Sequence, residues 1–170
     1  PAANDEPTRA LFACRDNLIA LGLSETMSYS FVPEALLDTF CDSDKSSRVV
    51  LPNPVSADQA VMRNSLVPQM VECLGRNHSR QITDAMLFEI GKVFWKDDAG
   101  SISEEDRVCI GLMGKVGRGQ LERHNAAKDD EVFLWAKGII EDLAEAQRIG
   151  VLTFTPTDHP YCEAGEAVSI

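Results

Sequence analysis

Leu87-Phe88-Glu89-Ile90-Gly91-Lys92-Val93-Phe94-Trp95 is the stretch on which the fold turns. From Ala85 to Trp95, Met86, Phe88 and Ile90 alternate with Leu87, Glu89 and Gly91, the period of two that a β-strand imposes. Lys96 to Asp106 is short and acidic and reads as a hairpin-type connection. Arg107 to Met113 returns as the partner strand, with Val108, Ile110 and Leu112 on one face. A long antiparallel hairpin therefore lies at the centre of the chain.

Upstream, Asn4 to Pro7 carry helix-start signals, and Leu11, Cys14, Leu18 and Leu21 recur at helical spacing until Gly22, so a helix is expected over Thr8 to Leu21. Thr26 to Val32 switches to the strand period, with Met27, Tyr29 and Phe31 as the expected buried face. Pro33 opens a short helix through Phe40, Asp42 to Ser47 is a polar loop, and Arg48 to Leu51 is a strand closed by Pro52-Asn53-Pro54. Ser65 caps a helix to about Asn77, with Leu66, Met70, Cys73 and Leu74 on one face and Pro68 harmless in its first turn. Beyond the hairpin, Gly114 to Asp130 is a loop. A helix over Glu131 to Arg148 follows, its expected buried stripe being Phe133, Ala136, Ile140, Leu143 and Ala144 and its stop Gly150. Val151 to Thr155 and Ala167 to Ile170 are short strands. The order predicts an α+β fold, a largely antiparallel sheet flanked by helices.

Composition narrows the function. The 170 residues carry 16 Lys+Arg against 27 Asp+Glu, a formal net charge of -11, with 44% hydrophobic and 25% charged residues. That is an ordinary globular balance, and no apolar run approaches the roughly 20 residues a membrane span needs. The acidic excess argues against gripping nucleic acid by its phosphates. Five cysteines with no C-x-x-C pair give no zinc or thioredoxin signal and read as small hydrophobes; reduced thiols fit a cytoplasmic location. Pro1-Ala2-Ala3 is neither an initiator nor a signal peptide, and Ala167 to Ile170 stops inside an apolar alternation, so residues 1–170 are expected to be a single core domain cut from a longer chain.

The hairpin carries a resemblance. Phe88-Glu89-Ile90-Gly91, then Phe94 and Trp95, is similar to motif 2 of class II aminoacyl-tRNA synthetases, whose first strand reads F-E-I-G-x-x-F-R. Leu51-Pro52-Asn53-Pro54 resembles the end of motif 1, and Met62-Arg63-Asn64-Ser65-Leu66-Val67-Pro68 resembles the M-R-x-S-L-x-P opening of the next helix. With Thr26 to Val32 and the tail His159-Pro160 followed by Ala167, these stretches most resemble the synthetase-like core of the bacterial phenylalanyl-tRNA synthetase β chain, in one order over nearly the whole sequence.

The resemblance implies a catalytically silent copy of the class II site, with the α chain activating phenylalanine in an (αβ)₂ heterotetramer. ATP and Mg²⁺ then serve the whole enzyme, and tRNA(Phe) is met mainly by other domains. The vestigial motif 2 residues would be Phe88, Glu89, Gly91, Phe94 and Trp95. Active enzymes place at the position of Trp95 an arginine that contacts the ATP α-phosphate; an indole offers one N–H and no charge. Lys96 falls on the opposite strand face. Thus no catalytic residue is assigned, and no cofactor is expected on this chain. Arg63 and Glu89, polar within apolar stretches, are expected to form a structural ion pair, since buried charges are tolerated only when paired; the alternative reading makes Glu89 a contact for a substrate amine or adenine. The motif 1-like helix and the strand ending at Pro54 would hold the α subunit, with Leu11, Phe12, Leu18, Ile19 and Pro54 as contact candidates.

Two alternatives keep the fold. One is a stand-alone ATP-dependent ligase for a small acid, with only Lys92, Lys96 or Arg107 to clamp phosphate; the other is a regulatory module binding a small ligand. Gly111, Gly114, Gly117 and Gly119 lack the G-x-x-x-x-G-K-[ST] pattern and read as a plain connection. His78, His124 and His159 have no metal-ligand spacing, and the acidic runs Asp97-Asp98, Glu104-Glu105-Asp106 and Asp129-Asp130-Glu131 read as solvated turn and helix-start charges, so no metal site is expected.

Overall fold

The computed structural model describes residues 6–40, 45–54, 56, 59–117, 129–159, 161–163 and 166–170. Helix α1, Glu6–Ala20, buries Cys14 and Leu18, and Leu21 is buried just after it. It ends where the sequence places its stop: Gly22 has φ 90°, and Leu23 N–H donates back to the Leu18 carbonyl (3.1 Å). Only glycine adopts that left-handed conformation without a Cβ penalty, and the paired bonds close the helix end.

Strand β1, Ser24–Glu25, runs parallel to β4, Ala85–Lys96, which pairs antiparallel along its whole length with β5, Ile102–Met113. The sheet order is β1-β4-β5. Between β1 and β4 come β2 (Phe31–Val32), α2 (Glu34–Phe40), a 3-10 turn (Lys45–Ser47), β3 (Val61–Met62) and α3 (Val67–Ser79). After β5 come α4 (Asp129–Ala146), β6 (Thr155–Thr157) and β7 (Ala167–Ser169). β2–β3 and β6–β7 are small antiparallel pairs. The architecture is α+β, with the main sheet between two helical layers. On one face Met86 and Phe88 pack with Leu18 of α1, Leu21 just after it and Ile139 of α4. On the other, Met70 and Leu74 of α3 sit over Gly111.

Several sequence expectations change. The hairpin turn is only Asp97 to Ser101, closed by the Asp97 carboxylate accepting from Ala99 and Ser101 N–H (3.0 and 2.8 Å). The acidic run Glu104-Glu105-Asp106 belongs to β5, where Lys92 on β4 neutralises it across the strands (2.9 Å to Glu104, 3.6 Å to Asp106). Thr26 to Val32 is not one strand, and its apolar face points outward: Met27 is 88% and Tyr29 75% exposed. The expected strand at Arg48 reduces to a bridge between Val50 and Val61. Leu66, not Ser65, is the cap position of α3, although the Ser65 hydroxyl accepts from Val67 N–H (3.2 Å).

The buried stripe of α4 is Val132, Trp135, Ile139, Leu143 and Ala144. Phe133, Ala136 and Ile140 instead line an open groove against Val108, Ile110 and Leu112 of β5. The stop of α4 is Arg148, at φ 58°, with Ile149 N–H donating to the Ala144 carbonyl (2.8 Å), two residues before the expected Gly150. The last strand pair begins at Thr155, so residues 151–154 lie outside it. Gly111 stands inside β5 opposite Leu87 and not in a loop. Gly119, His124 and most of the loop expected over 114–130 fall outside the described residues.

Candidate functional site

β4 presents Leu87, Glu89, Gly91 and Trp95 on the face that turns away from α1 and α4, because alternate strand residues share a side. The middle of this face is covered by a buried ion pair. Glu89 is 2% exposed and Arg63, between β3 and α3, is 3% exposed; their Oε1 and Nη1 are 2.6 Å apart. Glu89 also accepts from the Ser28 hydroxyl (2.7 Å) and the Ser28 N–H (3.2 Å). Arg63 donates through Nε to the Lys92 carbonyl (2.9 Å) and through Nη1 to Gln69 Oε1 (3.2 Å), and Gln69 Nε2 donates to the Tyr29 carbonyl (2.8 Å). Charge is matched and hydrogen bonds are made on both sides, the condition under which a buried ion pair is tolerated.

Two glycines give the room for this filling. A Cβ on Gly91 would overlap the Arg63 guanidinium, so the strand admits the arginine only because that position has no side chain. A Cβ on Gly111 would stand 2.7 Å from both Met70 Cγ and Sδ and 3.1 Å from Leu74. Helix α3 thus lies directly on the hairpin. Cys109, opposite Glu89 on β5, has its thiol pushed up to about 11 by burial, with the Glu89 carboxylate adding to the effect. It stays a protonated thiol at neutral pH and offers no nucleophile.

The other motif 2 positions fit the same picture. Phe88 is fully buried on the opposite face, in the core. Phe94 is buried, and its N–H donates to the Arg63 carbonyl (2.9 Å), tying β4 to the segment after β3. Trp95 is half-buried and adds no charge. Of the cations that a phosphate clamp would need, Lys92 is bound to Glu104 and Asp106, and Arg107 to Glu105. Among the described residues no group of His, Cys, Asp or Glu is arranged to hold a metal ion.

The interface candidates divide. Phe12 and Ile19 lie exposed on the outward flank of α1, at 55% and 51%, and Pro54 is exposed. Leu18 is wholly consumed by the core and Leu11 is half-buried. Sequence reasoning missed Ser28 and Gln69. Ser28 was visible only as a polar member of an alternating segment, and Gln69 as a polar residue among the apolar positions of α3. No described helix is long and apolar enough to cross a membrane.

The profile of the family described as "Phenylalanyl tRNA synthetase beta chain CLM domain" matches residues 2–170. The chain is 39% identical over 145 residues to the phenylalanine–tRNA ligase beta subunit of Syntrophotalea carbinolica, covering 82% of this chain and 18% of that one. It is 37% identical over 158 residues to the corresponding subunit of Xylella fastidiosa strain Temecula1, covering 92% and 19%. This chain therefore spans about a fifth of the length of these relatives. Among solved structures, a pyrrolysyl-tRNA synthetase from Desulfitobacterium hafniense superposes with a TM-score of 0.64 over 96% of this chain and 54% of its own. At 14% identity that likeness establishes the class II synthetase fold alone. From the hairpin, its filled face and the match along nearly its whole length, the chain belongs to the phenylalanyl-tRNA synthetase beta chain CLM domain family.

Proposed function

We propose that this chain is the non-catalytic core of the β subunit of phenylalanine–tRNA ligase, and that it supports attachment of phenylalanine to tRNA(Phe) by packing against the catalytic α subunit. The carrying observation is the filled face of β4. On that face the Arg63–Glu89 pair is seated on Gly91, and Met70 and Leu74 are seated on Gly111. A substrate would have to displace a buried, hydrogen-bonded ion pair, which costs several kcal/mol before any contact is gained. Trp95 also lacks the charge that a developing phosphate requires.

On this reading ATP, Mg²⁺ and phenylalanine are handled by the α subunit in an (αβ)₂ heterotetramer in the cytoplasm. tRNA(Phe) is contacted mainly by other parts of the longer β chain, which suits a segment with a net charge of -11. Residues 1–170 form one core domain of that chain. The outward Phe12 and Ile19 of α1 are the anchors offered to α, since large apolar groups left on a helix flank favour a protein partner.

Full-length β carrying this segment should co-elute with α on size exclusion at micromolar concentration. The Phe12→Ser/Ile19→Ser variant should weaken that association by about tenfold or more while leaving the Tm of free β within about 2 °C. Wild-type β that elutes apart from α would overturn the packing assignment.

A further inference from the structure

We propose that the cleft between residues 26–33 and α3 is a binding site for a free α-amino acid with an apolar side chain. It encloses about 490 Å³, and Tyr29, Phe31, Leu36, Gln69, Glu72 and Arg76 are among the residues that line it. That volume is in the range of small-molecule sites. Phe88, Glu89, Gly91, Phe94 and Trp95 are not in its lining, so the cleft is separate from the covered face of β4.

The two walls are tied to one buried anchor. Gln69, 8% exposed, is held at both ends of its amide: Oε1 accepts from Arg63 Nη1 (3.2 Å), and Nε2 donates to the Tyr29 carbonyl (2.8 Å). Ser28 is held by Glu89 through its hydroxyl and its N–H (2.7 and 3.2 Å). Arg63 and Glu89 are themselves paired, so α3 and residues 28–29 are fixed against each other before any ligand arrives. A site supported in this way loses little ordering entropy on binding.

The charges on the helix wall select the ligand. Glu72 and Arg76 are both exposed and stand four positions apart on α3, the spacing of a helical ion pair, with about 5–6 Å between Cβ atoms. No such pair forms, and neither side chain has a partner among the described residues. Arg15, Arg48, Arg63, Lys92 and Arg107 are all paired. An α-amino acid carries its ammonium and carboxylate on one carbon, so a single molecule reaches both: carboxylate to Arg76, ammonium to Glu72. A phosphate in the same place would be repelled by Glu72 and a metal cation by Arg76. The facing wall offers apolar surface that water now covers, with Tyr29 75% and Phe31 38% exposed. An apolar ligand side chain laid on these rings removes area from water on both sides.

The test is equilibrium dialysis of radiolabelled L-phenylalanine against full-length β free of α. Subtracting the double variant Glu72→Gln/Arg76→Gln isolates this cleft from any other site on the longer chain. The component that the double variant lacks should have a Kd of about 1 mM, the range of an amino-acid-sized ligand in an open cleft. Glu72→Gln and Arg76→Gln alone should each weaken it by about tenfold, with the Tm of ligand-free β within about 2 °C of wild type because both side chains are in solvent. 3-Phenylpropionate, which lacks the ammonium, phenylalaninamide, which lacks the carboxylate, and glycine, which lacks the apolar group, should each compete about tenfold more weakly than phenylalanine. Equal binding by wild type and the double variant overturns the proposal, and so does competition by phenylpropionate or phenylalaninamide as strong as that of phenylalanine. With α absent throughout, such a failure leaves the packing assignment standing.

Discussion

Truncating Glu89 to Ala should destabilise the chain by about 3–5 kcal/mol, the cost of leaving one member of a buried ion pair without its partner. Arg63, 3% exposed, would keep its charge with no carboxylate in reach, while the Ser28 hydroxyl and N–H would lose their common acceptor. Domain stabilities of about 5–15 kcal/mol leave little margin for such a loss, so a substantial unfolded fraction at 37 °C is the expected outcome. Glu89→Gln keeps the shape and an acceptor oxygen and should lose about half as much, because hydrogen bonds to an uncharged acceptor are weaker. The double variant Arg63→Met/Glu89→Leu should be more stable than Glu89→Ala, since apolar groups of similar volume replace both charges. Urea melts followed by far-UV circular dichroism measure all three. A Glu89→Ala variant within about 1 kcal/mol of wild type would mean that the pair does not hold the face closed.

Gly91→Ala is the second large effect, and its sign opposes local propensity. Glycine weakens a strand interior, so alanine would ordinarily gain about 0.5–1 kcal/mol at such a position. Here the added Cβ overlaps Arg63 Nη2, and the guanidinium cannot swing aside without giving up Glu89, Gln69 or the Lys92 carbonyl. The expected net loss is about 2–3 kcal/mol, overpacking plus a strained charge-assisted bond. Gly111→Ala provides the comparison within the same variant series. Its Cβ meets the flexible ends of Met70 and Leu74, which can shift, and the cost should be about 1 kcal/mol. Equal losses at Gly91 and Gly111 would show that the arginine is not locked.

The hairpin was legible because its signal is local: a period of two over 11 residues, a polar turn and a returning strand. The helices were legible for the same reason, and the Arg63–Glu89 pair was foreseeable because charges inside apolar stretches demand partners. What escaped depends on contacts distant in sequence. Ser28 and Glu89 are 61 positions apart, and only the parallel placement of β1 beside β4 brings them together. The alternation at Met27, Tyr29 and Phe31 predicted one half-buried strand, but only Phe31–Val32 of that stretch is strand and Met27 and Tyr29 are exposed, because period says nothing about which side the rest of the chain lies on. α4 misled by excess: Trp135 and Ile139 lie on one side and Phe133, Ala136 and Ile140 on another, and both rows are apolar. The acidic residues of β5 read as a turn because strands are depleted in them, yet Lys92 opposite makes them acceptable.

Trp95 and Arg63 together define the central claim, that this class II face is filled and has lost its chemistry. The most direct measurement is phenylalanine-dependent ATP–pyrophosphate exchange by full-length β free of α, wild type and with Trp95→Arg. The claim predicts no exchange above background in either, because restoring one guanidinium does not empty a face occupied by Arg63, Met70 and Leu74. Exchange by wild-type β, or its appearance in the Trp95→Arg variant, would contradict it.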